Sequence, residues 1–186
     1  MKSAVSTMKL LVFLLGLTLV TTVGIHAKVA NYDAFFAFGD SLADNGNDFL
    51  LTRLLGANPA VPPSISPHRT YFAGRFSNGY VAFEYLWEMI SGQAPGTTGG
   101  LRPSFDVPLL QLSSAVDFAF GGTGTPTLDQ TPGGFFAPGL KGQVDLFRVA
   151  LRGRRPTPRA LYAIATGAND YRNDQFNVPM AIPDVV

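Results

Sequence analysis

A short aromatic run that stops at a glycine constrains the fold of this chain more than any other feature. Residues 35–38 read Phe-Phe-Ala-Phe, and Gly39, Asp40 and Ser41 follow at once. A short apolar run bounded by turn residues is typical of a strand buried in a parallel sheet, so a strand is predicted over 34–38. The pattern places Ser41 at the carboxyl end of that strand, where α/β folds collect their chemistry.

Ser41 is a candidate nucleophile for this reason. A helix that begins near Ser41 would direct its free amide groups at negative charge beside the hydroxyl. An ordinary strand-to-helix turn, capped by an aspartate or a serine, is the alternative interpretation, because the tripeptide Gly-Asp-Ser is common.

The rest of the chain alternates helices with strands. Apolar spacing predicts helices over 44–55, 80–90 and 144–151 and strands over 116–120 and 161–166. Loops rich in proline, glycine or threonine are predicted over 57–70, 91–104 and 121–139. This order predicts a parallel sheet with helices on both faces. Because parallel strands end at a common edge, the turn that contains Asn169 is expected to lie beside Ser41.

The N-terminus has the pattern of a secretory signal peptide. Lys2 and Lys9 supply positive charge, residues 10–23 are almost wholly apolar, and small residues follow. Cleavage is expected after Ala27, with Gly24 as the alternative site, so residues 1–27 are the predicted signal peptide. A membrane anchor is the competing interpretation, but the apolar run is short for a full span. Residues 31–186 are then predicted to form one secreted, extracellular domain.

Composition excludes several classes of function. The formal net charge of +1 and the absence of a long basic patch argue against a nucleic-acid partner. The chain has no cysteine, and its two histidines, His26 and His68, lack acidic or sulfur partners at ligand spacing. Neither a metal site nor a cofactor is predicted.

Three polar groups from separate segments could together perform acyl transfer. That chemistry needs a nucleophile, a base, and hydrogen-bond donors for the oxyanion that develops in the transition state. Ser41 can supply the hydroxyl and its own N–H, and the Asn169 side chain can donate a second hydrogen bond. Gly79 can offer a third N–H, because a glycine has no Cβ to obstruct the approach of a substrate.

Four ordered blocks resemble the GDSL (SGNH) esterase/lipase family. They are Phe-Gly-Asp-Ser-Leu with Asp-Asn-Gly-Asn (38–47), Gly-Arg-Phe-Ser-Asn-Gly (74–79), Val-Asp-Phe-Ala-Phe-Gly-Gly-Thr (116–123) and Gly-Ala-Asn-Asp (167–170). The resemblance covers roughly residues 34–172, and Asp117 stands where the family usually has asparagine. It implies a three-layer α/β/α sandwich with a parallel sheet, flavodoxin-like in outline.

The same resemblance implies the chemistry. Ser41 would be the nucleophile, and the Ser41 N–H, the Gly79 N–H and the Asn169 side chain would form the oxyanion hole. The reaction would be hydrolysis of carboxylic esters through an acyl-enzyme. The substrate would be a small-molecule or lipid ester, and a lipid would bring the protein into transient contact with a membrane or lipid surface.

One block of the family pattern is missing. The family takes its base from an Asp-x-x-His block near the C-terminus, and this sequence contains none. The expectation is therefore a fold that is incomplete at the C-terminus, with a poorly activated Ser41 and poor solubility of the isolated chain. His68 is an alternative base, although it lies in a proline-rich loop where the family has no catalytic residue.

Two other functions stay open. One is a non-catalytic secreted module that binds acyl chains or glycans, which the missing Asp-x-x-His block favours. The other is a flavodoxin-like nucleotide binder, which the lack of a phosphate-binding glycine loop with a lysine disfavours.

Several residues near the candidate site have predicted structural roles. Asp40 and Asp44 are expected to brace the first helix, and Arg75 and Ser77 to fix the loop that presents Gly79. The pair Phe135-Phe136 could line an acyl channel, whereas the other phenylalanine-rich segments are expected to form the core.

Overall fold

A four-stranded parallel sheet organises the chain in the computed structural model, which describes residues 31–108, 112–131 and 133–174. The predicted signal peptide lies outside the described residues. The strands are β1 (Ala34–Gly39), β2 (Arg102–Pro103), β3 (Ala115–Asp117), β4 (Asp129–Gln130), β5 (Phe136–Ala137) and β6 (Ala160–Ala165). The sheet has the order β2-β3-β1-β6, and β4 and β5 form a separate antiparallel pair.

Four α-helices connect or follow these strands in the described part of the chain. They are α1 (Asn47–Leu54), α2 (Ala82–Ser91), α3 (Leu140–Leu151) and α4 (Ala168–Asp174), and a 3-10 turn spans Ser104–Asp106. None of the helices in the described ranges is long and apolar enough to cross a membrane.

The alternating side chains of β1 divide the core into two halves. Phe35 and Ala37 face α2, where the Phe35 ring stacks on Trp87 at a centroid distance of 5.9 Å. Phe36 and Phe38 face α3, where both rings contact Phe147, at 4.8 and 5.7 Å. The sheet therefore lies between two helical layers, which confirms the predicted three-layer α/β/α sandwich.

The predicted elements exist, with shifted ends. The predicted strands over 34–38 and 161–166 are β1 and β6, whereas the strand predicted over 116–120 is limited to Ala115–Asp117. The helix predicted over 144–151 begins four residues earlier, at Leu140, because the loop carbonyls of Gly124 and Thr125 accept the N–H groups of Leu140 and Lys141. The short strands β2, β4 and β5 lie in segments predicted to be loops or loop edges.

Candidate active site

The ends of β1 and β6 meet at the same edge of the sheet. The two strands pair in parallel along their whole length, with Gly39 opposite Ala165, and the Asp40 N–H donates to the Ala165 carbonyl oxygen at 3.1 Å. A Cβ on Gly39 would collide with that same carbonyl oxygen, so a glycine is required here. Ser41 and Asn169 thus follow neighbouring strands, as the sequence predicts.

Ser41 lies in a tight turn that Asp40 closes. The Asp40 carbonyl oxygen accepts the N–H groups of Ala43 and Asp44, both at 3.0 Å, and its carboxylate accepts the Leu42 N–H at 3.0 Å. Ser41 itself is half-buried, and neither its hydroxyl nor its N–H is hydrogen-bonded to any residue that the structure describes. Both groups are therefore available to a substrate.

The prediction that a helix begins near Ser41 is wrong. Helix α1 starts at Asn47, six residues later. The buried Asp44 carboxylate accepts hydrogen bonds from the backbone N–H groups just before and at the start of the helix, which sets this start. Asp44 accepts N–H bonds from Gly46, Asn47 and Asp48 at 2.8, 2.7 and 3.2 Å. Asp44 thus braces the helix as predicted, and the helix terminus is directed at Asp44 rather than at Ser41.

Asn169 is held by the loop that follows β3. Its side chain is buried, and Nδ2 donates to the Thr123 carbonyl oxygen at 2.9 Å. A carboxamide nitrogen carries two hydrogens, so the second can serve a ligand. The next residue, Asp170, accepts the N–H and the hydroxyl of Thr125 at 2.8 and 2.9 Å, which ties α4 to the same loop.

Gly79 lies in the loop that leads into α2. Its N–H donates to the Ser77 hydroxyl over a long 3.3 Å, and no heavy atom lies within 4 Å of the position that a Cβ would take. The loop packs against α1 at Gly74, where a Cβ would lie 3.0 Å from that of Phe49. The catalytic roles of Ser41, Gly79 and Asn169 stay predictions.

A buried ion pair fixes the Gly79 loop. Arg75 binds Glu84 through two parallel bonds, Nε to Oε2 at 2.9 Å and Nη2 to Oε1 at 2.6 Å. Glu84 is fully buried and also accepts the Val81 N–H, while the guanidinium lies 5.1 Å from the Tyr80 ring centroid. Arg75 therefore has the loop-fixing role that the sequence predicts.

Three carboxyl groups are buried around the turn between Ser41 and α1. Burial raises the pKa of Asp44 to about 6. Burial and the neighbouring Asp44 carboxylate raise the pKa of Asp48 to about 9, and neither Asp48 oxygen has a hydrogen-bond partner among the described residues. Burial and Asp44 likewise raise the pKa of Asp117, which accepts the N–H groups of Asn45 and Ala119, both at 2.9 Å.

No histidine among the described residues is hydrogen-bonded to Ser41. His68 is exposed in the proline-rich loop, and its backbone N–H donates to Ile65, while His26 lies outside the described residues. The described part of the chain also holds no group of three or more His, Asp or Glu side chains that could bind a metal ion. Phe136, one of the pair considered for an acyl channel, is exposed on β5.

Sequence reasoning missed Gln143. This side chain is fully buried in the first turns of α3, and its carboxamide exchanges two hydrogen bonds with the backbone of Gly39, each 2.9 Å long. The available signal was its spacing, because Gln143, Phe147 and Ala150 repeat at helical intervals on the core face. A polar residue on such a face indicates a buried partner.

The chain is similar to curated esterases of one plant. It is 32% identical over 151 residues to GDSL esterase/lipase At1g74460 of Arabidopsis thaliana, covering 75% of this chain and 40% of the relative. It is 34% identical over 172 residues to GDSL esterase/lipase LTL1, covering 82% and 45%, and 30% identical over 183 residues to GDSL esterase/lipase At1g33811, covering 89% and 47%. The chain therefore spans less than half the length of these relatives. No family model matches it.

Proposed function

Because the chain belongs to the GDSL esterase/lipase family, we propose that it hydrolyses carboxylic esters with Ser41 as the nucleophile. The observation that carries this proposal is the pairing of β1 with β6, which brings the unbonded Ser41 hydroxyl and the anchored Asn169 carboxamide to one edge of the sheet. Substrates would be small-molecule or lipid esters, the latter met at a membrane or lipid surface.

In the proposed reaction the Ser41 oxygen attacks the ester carbonyl carbon while its proton passes to a base. The oxyanion that forms would accept hydrogen bonds from the Ser41 N–H and the second Asn169 Nδ2 hydrogen. The Gly79 N–H could exchange its long bond to Ser77 for a third such bond. Collapse breaks the ester C–O bond, and the base returns its proton to the departing oxygen, so that an alcohol leaves. Water then attacks the acyl-Ser41 ester through the same base, which releases the carboxylic acid and restores the Ser41 hydroxyl. Each donor is typically worth about 3–4 kcal/mol in the transition state.

Ser41, Gly79 and Asn169 do not include a base. We propose that fast turnover needs an imidazole of the Asp-x-x-His type, a pattern that residues 1–186 do not contain. With nucleophile and oxyanion donors alone, a rate of about 10³–10⁴-fold over the uncatalysed reaction is expected.

A fluorophosphonate probe tests the nucleophile. We expect covalent labelling of Ser41, weak in this chain and strong when an Asp-x-x-His segment of a relative is joined to it. Ser41→Ala should abolish labelling, and the matched variant of the exposed Ser114, Ser114→Ala, should not change it. Equal labelling of the wild type and Ser41→Ala would show that another residue reacts.

Acyl-chain binding without catalysis is a second candidate. An apolar cavity of about 280 Å³ supports it, with walls that include Leu54, Phe105, Val107, Val116, Phe118 and Leu146. Binding of a fluorescent fatty acid that is unchanged in Ser41→Ala, together with no labelling in any form, would favour this candidate.

We also propose that residues 1–27 direct export, so that the protein acts outside the cell. The basic, apolar and small-residue regions of that segment support this. Expression with and without residues 1–27, followed by N-terminal sequencing of secreted protein, tests both the export and the cleavage after Ala27.

A further inference from the structure

The Gln143 carboxamide lies inside the core, and both its oxygen and its nitrogen have hydrogen-bond partners. Oε1 accepts the Gly39 N–H at 2.9 Å, and Nε2 donates to the carbonyl oxygens of Gly39 and Pro138 at 2.9 and 3.0 Å. Both nitrogen hydrogens and one oxygen lone pair are thus engaged, as a buried amide requires. Gly39 is the last residue of β1 and lies two positions before Ser41.

The helix that carries Gln143 also holds the loop that orients Asn169. The N–H groups of Leu140 and Lys141, at the start of α3, donate to the carbonyl oxygens of Gly124 and Thr125 at 2.9 and 3.2 Å. A Cβ on Gly142 would collide with the Thr127 carbonyl oxygen, so this loop lies directly on the helix. Thr123, which precedes Gly124 in this loop, supplies the carbonyl oxygen that accepts a hydrogen bond from Asn169 Nδ2.

We propose that Gln143 is a positioning residue, which fixes the Ser41 turn against the loop that orients the Asn169 carboxamide. Gln143 binds the end of β1 with its side chain, and the first turn of the same helix binds the loop with its backbone. Helix α3 therefore holds both the nucleophile and the oxyanion donor in place. The inference rests on the proposed ester hydrolysis, since it assigns Ser41 and Asn169 to one reaction.

Gln143→Met tests the proposal, because methionine has a similar length and no amide. We expect kcat for a p-nitrophenyl ester to fall about 10–100-fold with KM changed less than about threefold, since misplaced reacting groups slow the chemical step. We also expect the side-chain amide resonance of Asn169 in ¹⁵N-labelled protein to shift or broaden. If Gln143→Met does not fold, both readouts are taken on Gln143→Glu, which keeps the acceptor for the Gly39 N–H.

Phe147→Leu is the matched control, one turn later on the same face of α3. Its ring packs in the core against other aromatic rings, including those of Phe36, Phe38 and Phe118. We expect it to lower stability, with kcat and the Asn169 resonance unchanged. Loss of kcat in both variants in proportion to stability, an unmoved Asn169 resonance in Gln143→Met, or failure of both Gln143 variants to fold would overturn the proposal.

The spectroscopic readout separates this proposal from the proposed function. If Ser41→Ala and the wild type hydrolyse the ester at the same rate, Ser41 hydrolysis is wrong. The Asn169 resonance still decides in that case whether Gln143 fixes the geometry of this edge.

Discussion

Asp48 is the residue whose ionisation most constrains the behaviour of the site. Its carboxyl group is buried beside the Asp44 carboxylate and has no hydrogen-bond partner among the described residues. With pKa values of about 6 for Asp44 and about 9 for Asp48, the pair carries one proton at neutral pH. The second negative charge would have to form in a site without solvent, which costs free energy of folding.

The pH dependence of stability follows from these raised values. A carboxyl group whose pKa is higher in the folded than in the unfolded state stabilises the fold at pH values below its ordinary pKa of 3.8. That stabilisation is lost as the pH rises through the folded-state pKa. We expect the free energy of unfolding to fall between about pH 5 and about pH 8, and we expect this fall to be smaller in Asp48→Asn than in the wild type by roughly 1–3 kcal/mol.

Urea unfolding across that pH range measures the effect. Asp145→Asn, a change at a partly exposed aspartate of α3, serves as the control and should keep the wild-type slope. A slope in Asp48→Asn equal to that of the wild type would mean that Asp48 is not the group that titrates.

Asp117 shows how one departure from the family pattern is accommodated. Its two oxygens accept separate backbone N–H groups, from Asn45 and Ala119. A carboxyl group can accept on both sides, whereas an asparagine in the same orientation would place an NH₂ group against one of these donors. The local backbone of this chain is therefore built for an acid at position 117.

At the scale of elements, the Arg75–Glu84 pair joins the Gly79 loop to α2. We expect Arg75→Met to lower the free energy of unfolding by about 3–5 kcal/mol, because it leaves the Glu84 carboxylate buried without its cation. Urea titration measures this. Arg148→Met, which breaks an exposed pair with Asp145, should cost at most about 1 kcal/mol. Similar losses in the two variants would show that the burial of Arg75 contributes little.

The strands and helices could be predicted from the sequence where a run of one residue type identifies the element. The aromatic run of β1 and the apolar run of β6 identify buried strands, and their parallel pairing follows from the alternation of elements. The start of α1 was not predictable in the same way, because it depends on Asp44, whose carboxylate accepts the backbone N–H groups at the beginning of the helix.

Most of the contacts that assemble the candidate site could not be predicted from the sequence. Gln143 meets Gly39 across 104 positions, and Asn169 meets Thr123 across 46. Both are side chain to backbone bonds, and any residue with a carbonyl could be the partner, so no residue type identifies it. Local pattern can place Ser41 and Asn169 at one edge, but the loop that joins them to α3 follows only from the tertiary structure.

At the scale of the whole molecule, β6 is the least protected part of the described sheet. It pairs only with β1 among the described strands, carries no charge between Ala160 and Ala165, and exposes Tyr162 and Ile164 by 45% and 60%. An uncharged apolar edge strand is a template for pairing with another chain. This agrees in direction with the poor solubility that the sequence leads us to expect.

We therefore expect the 186-residue chain to associate in a concentration-dependent manner through β6. Ile164→Lys should shift sedimentation-velocity profiles towards the monomer, because a lysine at the edge must lose hydration when a second strand pairs. Val149→Lys adds the same charge at an equally exposed position, 65%, on α3 and should leave association nearly unchanged. If the two lysines suppress association equally, net charge rather than the edge of β6 controls it.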